Sequence, residues 1–110
     1  MMMVLLDEPT LILFASPDKP PDRLEAVDAI SGGYSFCDDD GQRHVGVVTR
    51  TVGRSFPTEY LPRAEGERDA TIAMDSADRA VILEPNLWHV DLESLRRHLK
   101  SRRSVGTRRL

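Results

Sequence analysis

An Asp-Gly pair between two alternating segments constrains the fold more than any other feature of this chain. The segments 34–38 and 43–47 flank Asp40-Gly41, and Asp-Gly favours a two-residue hairpin turn because both central residues need positive φ. We therefore predict a β-hairpin in which Cys37 faces His44, a register that separates apolar from polar side chains. The predicted apolar face carries Tyr34, Phe36, Val45 and Val47.

Patterning predicts further elements on both sides of this hairpin. The short apolar run 11–15 is typical of a buried strand. Prolines at the start, apolar residues at helical spacing and a terminal Gly-Gly predict an amphipathic helix over 21–31. The segments 70–74 and 79–84 have the character of strands around a polar turn, so we predict a second hairpin there.

The second half of the sequence predicts one long connection and one more helix. Prolines, glycines and charges over 54–69 indicate a connection with at most one turn of helix. Asp91 is a typical N-cap, and the leucines that follow it recur on one helical face, so a helix should run to residue 102 or 103. We expect residues 104–110 to form a flexible basic tail.

Length and composition limit the number of domains. A chain of 110 residues, 40% of them hydrophobic, can bury one modest core. We predict a single α+β domain over residues 1–103, with a mainly antiparallel sheet of four or five strands and two helices, one of them C-terminal. No apolar run approaches the roughly 20 residues of a membrane span, and a lone cysteine fits a reducing compartment. We therefore expect a cytoplasmic protein without a membrane partner.

Charge is segregated along the chain. The last fifteen residues hold seven of the 15 Lys and Arg and none of the 18 Asp and Glu. The rest of the chain then has eight basic against 18 acidic residues, a formal charge of −10, and the C-terminal end has +7. Separated charge of this kind steers encounters with charged partners.

The acidic part of the chain predicts a non-catalytic protein-binding domain that meets a basic protein, because acidic turns can present carboxylates to a complementary surface. The carboxylates expected at exposed turns and loops are those of Asp38, Asp39, Asp40, Glu65, Glu67, Asp69, Asp75 and Asp78. For any one of them, simple solvation of a turn is the competing explanation.

The basic end supports an alternative function as a nucleic-acid-binding accessory protein. Its candidate phosphate contacts are Arg96, Arg97, Lys100, Arg102, Arg103, Arg108 and Arg109. On a helical wheel the helical members form no single stripe, and no aromatic side chain is interleaved for base stacking. Cations at a helix C-terminus also offset the macrodipole without any ligand.

Catalytic and metal-binding patterns are weak. In the predicted register Cys37 faces His44, which is the minimum for an activated thiolate, but no group that would orient the base is evident. The three histidines and Cys37 lack the local spacing of a zinc site, and the run 38–41 lacks the alternate ligands and distal glutamate of a calcium loop. We therefore predict no enzyme, no metal and no cofactor, and keep a thiol enzyme as a third alternative.

Three short segments carry a resemblance to known proteins. Residues 24–30 (Leu-Glu-Ala-Val-Asp-Ala-Ile), then 33–38 (Gly-Tyr-Ser-Phe-Cys-Asp) and Gly41-Gln42, resemble a pattern in small bacterial proteins of toxin and immunity pairs. The resemblance implies a protein that binds and neutralises a cognate toxin. It assigns no particular binding residue and leaves self-association through an uncovered sheet edge open.

Overall fold

Six strands form one mixed sheet in the computed structural model, which describes residues 1–22 and 24–108, with the backbone alone from residue 103 onward. The strands are β1 (Met2–Leu5), β2 (Thr10–Phe14), β3 (Ser35–Asp38), β4 (Arg43–Val52), β5 (Phe56–Ala64) and β6 (Ile82–Leu83). Their order across the sheet is β5-β4-β3-β1-β2-β6. The pairing of β2 with β6 is parallel and the other pairings are antiparallel.

The helices in the described residues are α1 (Ala26–Ile30), α2 (Ala70–Arg79) and α3 (Leu92–Arg108). Helices α2 and α3 pack on one face of the sheet and α1 packs on the other. The α+β class is therefore confirmed, with more strands and one more helix than predicted. No helix in the described part of the chain has the length and apolar character needed to cross a bilayer.

Strand β1 lies at the centre and contributes to both cores. Met3 and Leu5 face α2 and α3, whereas Met2 and Val4 face α1, and all four side chains are buried. Successive side chains of a strand point to opposite faces, so a continuous apolar run suits a strand covered on both sides. No strand was predicted for residues 2–5.

The predicted second hairpin over 70–84 is wrong, because residues 70–79 form helix α2. The Asp69 carboxylate accepts a hydrogen bond from the Thr71 backbone N–H at 3.0 Å and caps the helix N-terminus. The buried face of α2 is built from small side chains that allow close approach to the sheet, namely Ala73, Ser76 and Ala77. The mostly apolar segment 70–74 before polar residues predicted a strand, but these residues belong to α2.

The long connection predicted over 54–69 is also wrong over most of its length, because residues 56–64 form β5. Pro57 and Pro62 lie in this strand. Proline lacks the N–H that a central strand would need, but an edge strand tolerates it. The prolines are therefore consistent with the edge position of β5, which local sequence alone does not reveal.

The predicted first helix is shorter than expected. The helix begins only at Ala26, and the Leu24 N–H donates to the Pro21 carbonyl in a turn that places Leu24 in the core. The helix α1 that follows lies directly on β4, since a Cβ on Gly46 would come within 2.7 Å of the Ala29 carbonyl oxygen.

The C-terminal helix begins where the sequence predicted. The Asp91 carboxylate accepts a hydrogen bond from the Ser94 N–H at 2.8 Å. The helix continues through Arg108 and so passes the expected end at residue 102 or 103. Of the predicted flexible tail, residues 104–108 lie in the α3 backbone, and residues 109–110 lie outside the described residues.

Candidate protein-binding surface

The β3–β4 hairpin exists, but its register differs from the prediction by one residue. Phe36 pairs with His44, and Cys37 pairs with Arg43. The Asp38 N–H donates to the Gln42 carbonyl across a three-residue loop, and the last loop residue, Gly41, has φ +84°. Such a loop ends in a left-handed residue, whereas the predicted Asp-Gly turn has two residues.

The one-residue shift separates the proposed thiol pair. Cross-strand partners share a face, so His44 lies with Phe36 on the α1 face and Cys37 lies on the α2 face. Cys37 is 1% exposed and lies 3.8 Å from the Ser76 hydroxyl. Burial raises the pKa of the Cys37 thiol to about 11, so the geometry offers no thiolate activated by His44.

The β3–β4 turn is held against the loop between β5 and α2. The Asp69 N–H donates to the Gly41 carbonyl at 3.0 Å, and the Gln42 side-chain amide donates to the carbonyls of Glu65 and Gly66 at 3.1 and 2.9 Å. Six of the eight predicted partner-binding carboxylates therefore meet at one end of the sheet. We call residues 38–40 and 65–69 the acidic end.

Several carboxylates of the acidic end have structural roles. The Asp38 Oδ1 accepts hydrogen bonds from the backbone N–H groups of Asp40 and Gln42, each at 2.9 Å, and so fixes the turn. Asp69 caps α2, and Asp40 forms an ion pair with Arg102. These three side chains hold the surface in shape, as expected for short polar residues at turns.

Asp39 points inward toward helix α3. Its side chain is 10% exposed, and its Oδ2 lies 3.2 Å from both His98 Nε2 and Arg102 Nη1. Burial acts to raise the pKa of Asp39, but the His98 hydrogen bond and the charges of the Met1 amino group and Arg102 outweigh it and hold that pKa below its usual value.

Glu65 and Glu67 are the carboxylates of the acidic end that remain open to a partner. Both are exposed, and within the described part of the chain neither side chain has an ion-pair or hydrogen-bond partner. Because they sit on a loop that Gln42 holds in place, an approaching cation would meet preoriented charge at little ordering cost.

The other two predicted carboxylates lie on α2 and not at a turn. Asp75 pairs with Arg79 at 3.7 Å along the helix, and Asp78 pairs with Arg96 of α3 at 3.5 Å. These exposed pairs are each worth a fraction of a kcal/mol to the stability of the fold. They remain accessible to a partner at the rim of a groove.

A groove of ≈ 640 Å³ separates α2 from β4, and we call it the α2–β4 groove. Its lining includes Val45 on the strand side and Ile72 and Asp75 on the helix side. It adjoins the acidic end, since Arg43 and Ile72 also line the neighbouring depression beside Glu65 and Glu67. Apolar side chains such as Val45 and Ile72 lie among polar and charged ones in this groove, and protein interfaces commonly combine the two.

The sequence did not reveal which face of the β4–β5 hairpin carries its exposed apolar side chains. Val45, Val47 and Leu61 lie on the α2 face, and Val45 and Leu61 are 38% and 37% exposed. In the predicted register these valines shared a face with Phe36, which is instead buried under α1. The apolar character of β4 was visible, but its face depended on the length of one turn.

Part of the basic end is engaged with the rest of the molecule. Arg96 donates to the carbonyls of Ala77 and Ala80, and Arg97 pairs with Glu93. With Arg102 bound to Asp39 and Asp40, three of the seven candidate phosphate contacts have internal partners. Lys100 is exposed on α3. The side chains of Arg103 and Arg108, and all of Arg109, lie outside the described residues.

Two further observations bear on chemistry. Within the described part of the chain, no group of three or more His, Cys, Asp and Glu side chains is placed to hold a metal ion. The rings of His89 and His98 are in contact, with centroids 5.1 Å apart and planes tilted by 44°, and His89 Nδ1 lies 2.9 Å from the Ser94 hydroxyl. Burial, and then the charge of His98, lowers the pKa of His89.

Comparison of this chain with protein-family models, with curated proteins and with solved structures gives no match.

Proposed function

We propose that this chain is a non-catalytic protein-binding domain that takes a basic protein on the surface formed by the acidic end and the α2–β4 groove. The observation that carries the proposal is the placement of Glu65 and Glu67, two exposed carboxylates without ion-pair partners among the described residues, beside a groove of mixed polar and apolar lining. Carboxylates at a rim confer specificity and speed of association, and the apolar side chains beside them supply affinity.

The proposal assigns different roles to the eight predicted carboxylates. Glu65 and Glu67 contact the partner directly, and Asp75 and Asp78 form the far rim on α2. Asp38, Asp39, Asp40 and Asp69 act by shaping the turn and the helix N-terminus, because their oxygens already accept internal hydrogen bonds or ion pairs.

The test is purification of the tagged chain from cells of its source, with mass spectrometry and nucleic-acid absorbance read on the same sample. We expect a basic protein in stoichiometric amount with the wild type, and its loss with Glu65→Lys/Glu67→Lys. The matched control is Glu8→Lys/Glu25→Lys, which reverses two exposed carboxylates away from this surface. A partner retained equally by both double variants contradicts the proposal.

Nucleic acid is the alternative outcome of the same experiment. Nuclease-sensitive material that copurifies and is lost on truncation after Lys100 supports binding through the C-terminal basic residues. The internal engagement of Arg96, Arg97 and Arg102 argues for the protein partner.

A narrower form of the proposal names the partner as a toxin that the domain neutralises. It comes from the resemblance of residues 24–42 to immunity-type proteins. Coexpression of the captured partner tests it: toxicity that the wild type suppresses and Glu65→Lys/Glu67→Lys does not would support neutralisation, and a harmless partner would contradict it. We further propose a cytoplasmic location, where a reducing environment suits the free thiol of Cys37.

A further inference from the structure

The outer half of the β4–β5 hairpin forms an arm with no cover of its own. All residues from 48 to 56 are exposed, including Val52 and Phe56, a cross-strand pair that is 58% and 60% exposed. A two-stranded ribbon has little stability in water without packing on one face. Packing against another surface would stabilise an arm of this kind.

The arm is also basic within an acidic chain. Residues 48–58 contain Arg50 and Arg54 and no acidic residue, and Arg50 pairs with Glu59 of β5 at 3.7 Å. At the other end of the same hairpin lies the acidic end, since the Glu65 N–H donates to the Arg43 carbonyl at the start of β4. The ten residues of β4 thus separate a basic tip from an acidic base by about 30 Å.

Between tip and base, the α2 face of the hairpin carries an apolar centre. Val47 and Leu61 are cross-strand partners on this face, and Val45 lies beside them. Edge-to-edge pairing through β5 is hindered because Pro57 and Pro62 lack backbone N–H groups. This favours a partner that packs on the face of the hairpin.

We propose that this face binds a second copy of the same chain, with the two β4–β5 hairpins antiparallel about a two-fold axis at the Val47–Leu61 pair. The charges along the hairpin are complementary under this operation. Arg54 lies seven residues after Val47 and Asp40 seven residues before it, so each tip meets the other copy's acidic end. Glu59 and Arg63 lie two residues on either side of Leu61, so the Arg50–Glu59 ion pair of one copy lies opposite Arg63 of the other.

The same operation places the apolar residues together. Val45, Val47 and Leu61 of one copy cover those of the other, and the exposed tip gains a surface at the partner's acidic end. An isologous contact of this kind closes as a dimer, because each copy offers both halves of every pair. The dimer does not require the basic partner of the proposed function, and the two would compete for Glu65 and Glu67.

Sedimentation of the purified protein and of charge-reversal variants tests this arrangement. The wild type should sediment as a dimer that dissociates on dilution and more readily at high salt. Arg54→Glu and Glu67→Arg should each raise the dimer dissociation constant at least about tenfold. The double variant Arg54→Glu/Glu67→Arg exchanges both signs in each copy and should restore the dimer.

Controls and a second measurement keep the result decisive. Lys100→Glu and Glu8→Arg make matched charge changes elsewhere on the surface and should leave the dissociation constant unchanged. Oxidation of Ser55→Cys/Glu67→Cys should give a covalent dimer, because these positions meet across the axis but lie at opposite ends of one hairpin. A monomeric wild type, a dimer unaffected by either swap, or a double variant that stays monomeric would overturn the inference. None of these results depends on the basic partner.

Discussion

Arg102 Nη1 lies 3.2 Å from the Asp39 Oδ2, so the basic C-terminal helix is bound to the acidic β3–β4 turn. His98 Nε2 reaches the same oxygen at 3.2 Å. The charges that are segregated along the sequence are therefore partly neutralised in the fold. This contact leaves Glu65 and Glu67 as the open part of the acidic end.

Asp39→Asn should lower the free energy of unfolding by about 1–3 kcal/mol at pH 7, because it weakens contacts of a carboxylate that is largely removed from water. The pKa of Asp39 is lower in the folded protein than in the unfolded chain, where it is about 3.9. The charged carboxylate therefore stabilises the fold above about pH 4, and that contribution is lost as the pH falls through the folded pKa.

Urea unfolding of wild type and Asp39→Asn at pH 7 and pH 3 measures this contribution. The difference between the two proteins should shrink at the lower pH. Asp22→Asn, at an exposed position, should differ little from wild type at either pH. A difference for Asp39→Asn that is the same at both pH values contradicts the assignment.

His89 should make the protein less stable in mild acid. Its pKa is lowered in the fold by burial and by His98, so the unfolded chain takes up a proton first. Stability attributable to the neutral ring is present above the unfolded pKa of about 6.5 and declines as the pH falls below it. In unfolding experiments between pH 7.5 and pH 5.5, His89→Asn should show a smaller decline than the wild type. An equal decline would assign the effect to other groups.

Cys37 should resist alkylation in the native protein. The thiol is buried, and its pKa of about 11 leaves little thiolate at pH 8. Iodoacetamide should label the native protein far more slowly than the urea-unfolded protein. The native protein could instead be labelled fast, with an apparent thiol pKa near 8.5, and more slowly after His44→Gln. That result would contradict the prediction and support the thiol-enzyme alternative.

Gly41→Ala should destabilise the protein more than Gly66→Ala. Both glycines have positive φ, at +84° and +74°, and share the cost of about 1 kcal/mol for a side chain in that region. A Cβ at Gly41 would also come within 2.2 Å of the Asp69 carbonyl oxygen, whereas nothing lies within 4 Å of a Cβ at Gly66. Thermal unfolding of the two variants measures the difference, and equal losses would contradict the close contact between the turn and α2.

Local sequence was sufficient where one strong signal governs an element. The Asp91 cap defined the start of α3, and the apolar run at 11–15 overlaps β2. Local sequence predicted the wrong element where two signals compete. Residues 70–74 form a short, mostly apolar segment of strand length, but Asp69 caps a helix with alanines at helical spacing, and the cap and helix propensity prevailed.

The candidate surface depended on facts that no single segment contains. Gln42 joins the turn to the loop at Glu65, and a three-residue turn moves Cys37 away from His44 and exposes Val45 beside α2.

By itself the sequence determined the α+β class, the hairpin around Asp40-Gly41 and the separation of charge along the chain, because these follow from residue type and short-range spacing. Only the tertiary structure decided which carboxylates are open, since Asp39 is covered by α3 and Glu65 is not. It also decided which face of β4 is uncovered. Both outcomes depend on contacts between residues distant in sequence, and such contacts are formed only when the whole sheet assembles.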